Sequence, residues 1–228
     1  MKTKKFHKPL AIFLGLAGLS TLAFILYPFV AYEITKRDNY PDLVSPINYD
    51  LEELTKSADY TKASNWFPQD PDVSKDSFSS SRVSYYTLSI PSLNIKSATV
   101  GIGGEDLSEN LIQYPGTANP GKRGNSVIFG HSILPQFYNP ENYLSIFSLL
   151  PTLSRGDEIN ISYDGVSYKY EVEDMFEVSP RDIQILEQNT NDSFITLVTC
   201  TPPGHPNKPK RLIVRARIVP FDRQANAI

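Results

Sequence analysis

Cys200 is the only cysteine in the 228 residues, and it closes the apolar run TLVTC just before the turn-forming TPPG. A solitary thiol cannot make an intrachain disulfide, which leaves an inert buried hydrophobe, half of an intermolecular bridge, or a nucleophile. To attack a carbonyl, a thiol with a free pKa of about 8.5 needs a neighbouring base or a positive environment. Histidine is the usual partner because it titrates near neutrality, and the chain has three: His7, His131 and His205. Arg211 opens the last apolar stretch, RLIVRARIV, shortly after the cysteine. A strand that returns through a short loop pairs beside the strand it has just left, so Arg211 is expected close to the thiol.

The elements that must position these groups begin with a membrane segment. Leu10 to Tyr32 carries no charge; as a helix it spans roughly 34 Å, enough for a bilayer core. It exceeds the about 7–15 apolar residues of a secretory signal and lacks an A-x-A-like end, which favours an uncleaved anchor. Lys2, Lys4, Lys5 and Lys8 precede it, whereas Glu33, Lys36, Arg37 and Asp38 nearly balance after it. The positive-inside rule then places residues 1–9 in the cytoplasm, 10–32 in the membrane and the rest outside. His7 is removed as a partner for Cys200, and His131 and His205 remain.

Residues 33–81 read as an extracytoplasmic linker or stalk, with scattered prolines, a serine-rich tail and one weak helical patch over DLEELTKSADYTKA. Trp66, the sole tryptophan, and Phe67 are expected to pack on the folded domain or lie near the membrane interface, with a lid over a site as the alternative. From 82 to 222 short β-like runs alternate with turns, and 223–228 is a polar tail. Strands are expected near 83–90, 95–101, 125–130, 157–163, 166–178, 193–199 and 211–219, with helical turns at 104–111, 141–150 and 179–186. The fold class is mainly β, a closed β-barrel with short helical insertions. In the last strand Leu212, Val214, Ala216 and Ile218 alternate with Arg211, Ile213, Arg215 and Arg217, so one face is apolar and the other basic. Net charge is −3 and no basic block follows the extreme N-terminus, which argues against nucleic acid as a partner. His131 follows the apolar strand NSVIFG, where a side chain is held rigidly at a strand end; His205 sits in a proline-rich loop.

TLVTC resembles the TLxTC motif of sortases, the membrane-anchored cysteine transpeptidases of bacterial surfaces. GNSVIFGH is similar to the strand that ends in their active-site histidine, KRLIVRARI to their final strand, and LSIPSLNI to their first. The resemblance covers about Arg82 to Phe221, and it implies an eight-stranded barrel with a catalytic trio of His131, Cys200 and Arg211. It further implies cleavage of an LPxTG-like signal between Thr and Gly, and transfer to an amine from a peptidoglycan precursor or a pilin lysine. Partners would then be surface proteins bearing a C-terminal sorting signal, the amine acceptor and the membrane. In these roles Cys200 attacks, His131 moves the proton, and Arg211 holds the substrate backbone and the developing oxyanion. Thr199 either supports the site with its hydroxyl or packs within the strand.

No second apolar span follows the domain, which disfavours the doubly anchored pilin-assembling type. No cofactor is expected; calcium would need Glu105, Asp106 and Glu109, which read instead as a solvated helix. The rival functions are a hydrolytic surface cysteine peptidase and a tethered, non-catalytic β-domain for adhesion or assembly.

Overall fold

The computed structural model describes residues 7–39, 59–66, 84–188 and 190–220. Phe67, most of the expected helical patch, the serine-rich stretch and the tail from 223 lie outside the described residues. Two compact units divide the chain, Met1–Asp38 and Asn39–Ile228.

The first unit is nearly all one helix, α1 (His7–Asn39), longer at both ends than the apolar run. Its segment Pro9–Ile34 is long and apolar enough to cross a membrane. Leu10, Phe13, Leu19, Phe24 and Tyr27 are all exposed. An apolar surface on every side suits lipid rather than a single packed face.

The second unit is built on eight strands: β1 (Ser84–Ile90), β2 (Ile95–Ile102), β3 (Leu111–Gln113), β4 (Gly124–Phe129), β5 (Glu158–Tyr163), β6 (Val166–Val178), β7 (Ser193–Thr201) and β8 (Lys210–Ile218). They close into a barrel in the order β1-β2-β3-β4-β7-β8-β6-β5. Closure removes the free edges that an open sheet would present. The period-2 pattern of β8 sorts as expected: Leu212, Val214 and Ala216 join the main core with Leu197, Ile195, Leu88 and Tyr170. Each large apolar side chain buried there contributes about 1.5–3 kcal/mol. The opposite face of the same strands builds a second apolar cluster from Val127, Phe129, Val198, Cys200, Ile213 and Val178.

β3 has no counterpart among the expected strands. It has three residues, all buried, and pairs parallel to β2 and antiparallel to β4. Three residues are too short to show alternation, so its identity comes from its neighbours. The helical turn expected over 104–111 is also absent. Gly103 and Gly104 hold φ of 77° and 89°, a left-handed backbone that diverts the chain into a non-helical turn. At 141–150 the chain makes turns rather than a helix and ends in a 3₁₀ turn at Leu150–Thr152, and a second 3₁₀ turn occupies Ile183–Leu186.

Candidate active site

Cys200 lies one residue inside the end of β7, directly opposite Arg211 in the antiparallel pairing with β8. The expected proximity of thiol and guanidinium is therefore a cross-strand pair. On its other side β7 runs parallel to β4, in register through Phe129 and Val198. Beyond that point β4 leaves the sheet, yet the chain stays pinned. The Gly130 N–H donates to the Val198 carbonyl at 3.2 Å, and the His131 carbonyl accepts the Phe147 N–H at 3.0 Å. A side chain at Gly130 would come within 2.4 Å of Phe147 and 2.6 Å of Leu111, so only glycine lets the chain pass there. The Thr199 hydroxyl donates to the Gly130 carbonyl at 2.9 Å. Thr199 thus does more than fill the strand: its hydroxyl ties β7 to the residue before His131.

His205 sits in the loop between β7 and β8. Its Nδ1 accepts the Asn207 N–H at 3.2 Å, and its own N–H donates to the Pro202 carbonyl at 3.0 Å. It stabilises the loop between β7 and β8. Gly204 in that loop has φ 78°, and a side chain there would meet Leu134 at 2.6 Å.

Part of the region expected to be linker folds over the site. Asp59–Trp66 is joined to the 105–107 turn by a short antiparallel bridge, in which Ala63 N–H donates to the Glu105 carbonyl (3.0 Å) and Leu107 N–H to the Thr61 carbonyl (2.9 Å). The Ser64 hydroxyl donates to the Glu105 carboxylate. Asp106 accepts the Ser108 N–H and hydroxyl. Glu105 and Asp106 therefore hold a turn and this cover instead of lining a solvated helix. Among the described residues no three His, Cys, Asp or Glu side chains converge as a metal site.

Trp66 is fully buried and stacks on Phe129, with ring centroids 5.2 Å apart and planes 12° from parallel. Its indole N–H donates to the Tyr60 carbonyl at 2.9 Å, and its ring lies 6.0 Å from the His131 ring. The Arg211 guanidinium faces both aromatic rings of the cover, 5.0 Å from Tyr60 and 5.3 Å from Trp66. Lys208 stands 5.1 Å from the Tyr60 ring. Such cation–π contacts contribute about 0.5–2 kcal/mol each, more when desolvated. Of the three arginines on the basic face of β8, Arg217 is ion-paired to Glu173 and Arg215 lies over Phe194 at 4.1 Å. Arg211 alone is wholly buried. Its Nη1 donates to the Lys208 and Lys210 carbonyls at 2.9 and 3.1 Å. Among the described residues its Nε and Nη2 have no hydrogen-bond partner, nor does His131 Nε2. Three unsatisfied buried polar atoms in one place are costly, so they mark where a polar ligand would be received.

Burial pushes His131 down from 6.5 to about 4, and the Lys208 cation adds to the effect; Asp106 and Asp59 pull weakly the other way. The sign follows directly. A covered His131 binds fewer protons than an exposed one below about pH 6.5, so the covered state is fully favoured above that pH and loses stability as pH falls toward 4. The loss reaches about 3 kcal/mol at most. Asp59 and Asp106 are held below the usual 3.8 by their hydrogen bonds to Thr61 and Ser108. Because Trp66 is the sole tryptophan, its fluorescence reports this equilibrium directly. We expect its emission to shift to the red between pH 6.5 and 4, and His131→Gln to flatten the shift. Emission constant across the window in the native protein would contradict this coupling.

The closed eight-stranded barrel sets Cys200 on β7 opposite the buried Arg211 of β8, with the His131 imidazole just past the end of β4. The Sortase domain family model matches residues 88–219, and the chain belongs to the sortase family of transpeptidases. Among solved structures it is similar to sortase C-1 from Actinomyces oris, with 31% identity, a TM-score of 0.52, and cover of 60% of this chain and 73% of that one. It is also similar to a Clostridium perfringens sortase D5 transpeptidase, with 25% identity, a TM-score of 0.51, and cover of 74% of this chain and 100% of that one. A third is a pilus-related sortase C of Group B Streptococcus, with 26% identity, a TM-score of 0.52, and cover of 60% and 68%. No curated protein matches the chain.

Proposed function

We propose that this sortase cleaves an LPxTG-like sorting signal between Thr and Gly and transfers the threonyl group to an amine, with Cys200, His131 and Arg211 as the catalytic trio. The observation that carries the reading is the direct pairing of Cys200 with Arg211 on β7 and β8, next to a histidine whose chain neighbours Gly130 and Ser132 are hydrogen-bonded to β7.

The Cys200 thiolate attacks the threonyl carbonyl carbon, and its π electrons move onto oxygen. That oxyanion is met by the free donors of Arg211. As the carbonyl re-forms, the bond to the glycine nitrogen breaks, and the leaving amine takes the proton from the His131 imidazolium. The thioester on Cys200 is then attacked by the acceptor amine, whose proton passes to His131, and the thiolate leaves. No step asks for a cofactor.

Cys200 is buried and Trp66 covers the site, so the peptide must displace Asp59–Trp66 to reach the thiol. Displacement returns His131 to water, relieves the main cause of its lowered pKa, and lets the imidazolium form. A thiol protected in the resting protein is therefore compatible with catalysis and does not by itself favour an inert β-domain. α1 would anchor the enzyme with its N-terminus cytoplasmic and the barrel outside the cell. The likeness to a pilus-related sortase C supports a pilin lysine as acceptor, beside the peptidoglycan precursor amine.

The test is to trap the acyl-enzyme with sorting-signal peptides in the absence of amine, and to locate the added mass. Mass on Cys200, released by amine faster than by water, is the expected result; mass elsewhere, or release by water alone, would remove the transpeptidase mechanism. Arg211→Lys keeps the charge but loses the planar fork. Its turnover is expected to drop roughly a hundredfold or more, with thermal denaturation shifting far less than turnover. Equal turnover in that variant would reduce Arg211 to a packing residue.

A further inference from the structure

Beyond Gly130 the main-chain ladder between β4 and β7 has ended, yet the two segments carrying the thiol and the imidazole remain fastened. One fastening is the Thr199 hydroxyl on the Gly130 carbonyl. The other is on the far side of His131: the Ser132 hydroxyl donates to the carbonyl of Cys200 itself, at 2.7 Å and fully out of solvent. Further out, the Ile133 N–H donates to the Ser148 hydroxyl at 2.9 Å. Every residue from 130 to 133 is thus held by a hydrogen bond, although none of them is in a strand.

We infer that Ser132 is a positioning residue that sets the separation between the His131 backbone and the Cys200 backbone by extending the β4–β7 pairing through a side chain. The inference rests on the reading of Cys200 and His131 as the reacting pair. The physical reason is the short lever. A strand end released from its neighbour can drift by an ångström, and a misplacement of that size in a reacting pair costs up to about a hundredfold. The bond runs to the carbonyl of the nucleophile's own residue, so its loss moves the sulfur relative to the ring without disturbing the barrel's ladders. Ser132 has no direct contact to substrate in this role, and it therefore affects the rate of the chemical step rather than peptide binding.

The experiment compares the full-length enzyme with Ser132→Ala, Ser132→Thr and Ser126→Ala in peptide turnover against pH. Ser126 is a matched control: it lies on β4, which leads into the 130–133 segment, is buried, and donates to the Ala118 carbonyl. Ser132→Ala is expected to lower kcat about ten- to a hundredfold, to leave KM nearly unchanged and to move the pH profile. Ser132→Thr should recover most of the rate, and Ser126→Ala should lose stability without either kinetic change. Native kcat and pH profile in Ser132→Ala, or a Ser132→Thr variant as slow as Ser132→Ala, would overturn the inference. An equal kcat loss in Ser126→Ala would overturn it as well, by making the effect one of general stability. If the native enzyme forms no Cys200 acyl-enzyme, the catalytic reading fails first; if it does and Ser132→Ala matches it, only the positioning role fails.

Discussion

Cys200→Ala is expected to abolish peptide transfer, by on the order of 10⁴-fold or more, while leaving the barrel folded. In the proposed trio the thiol is the nucleophile that carries the acyl group, and removing the nucleophile of a working trio leaves only residual electrostatic catalysis. Structurally the change is mild. Cys200 is a small side chain in an apolar cluster with Val198, Ile213 and Phe129, so losing its sulfur costs about 1 kcal/mol of stability. Turnover and thermal denaturation of the same preparation check both halves. Full turnover in a folded Cys200→Ala variant would end the mechanism proposed here, and an unfolded variant would instead assign the residue to packing.

His131→Ala is expected to lower turnover by about 10²- to 10⁴-fold, the range for losing a general acid–base. His205→Ala should retain most of it. The contrast tests geometry, because both residues are histidines of the second unit. His131 presents a buried Nε2 that has no hydrogen-bond partner among the described residues, whereas His205 Nδ1 already accepts a loop N–H. The variants should also separate physically. His131→Ala relieves the cost of burying an imidazole that resists protonation, so its pH-dependent loss of Trp66 burial should vanish; His205→Ala should loosen the loop between β7 and β8. Loss of activity in His205→Ala with retention in His131→Ala would reverse the assignment.

Much of this architecture was legible from local chemistry. Alternation in β8 separated core from surface, and the short return from Cys200 foretold its pairing with Arg211. Other features depend on contacts that no local pattern contains. β3 is three residues long and owes its existence to β2 and β4. Trp66 stood out as the sole tryptophan, but Tyr60 gave no signal, since its partners Arg211 and Lys208 lie some 150 positions away. Ser132 was equally silent: a serine after a histidine is unremarkable until the carbonyl it meets is known. The three arginines of β8 also show the limit of patterning. Period 2 put them on one face, yet Arg211 is buried beneath Tyr60 and Trp66 while Arg217 is not.

The parallel pairing of β4 with β7 has a consequence for how the chain reaches its working form. His131, just past the end of β4, and Cys200 on β7 are separated in sequence by the whole β5–β6 hairpin, so they become neighbours only through contacts of high sequence separation. Such topologies fold slowly, because loop-closure entropy is paid before the contacts reward it. During that search the chain exposes its thiol without the partners that will later bury it. A second cysteine would then offer a wrong bridge, kinetically within reach in an oxidising compartment. Having one cysteine removes that intramolecular dead end.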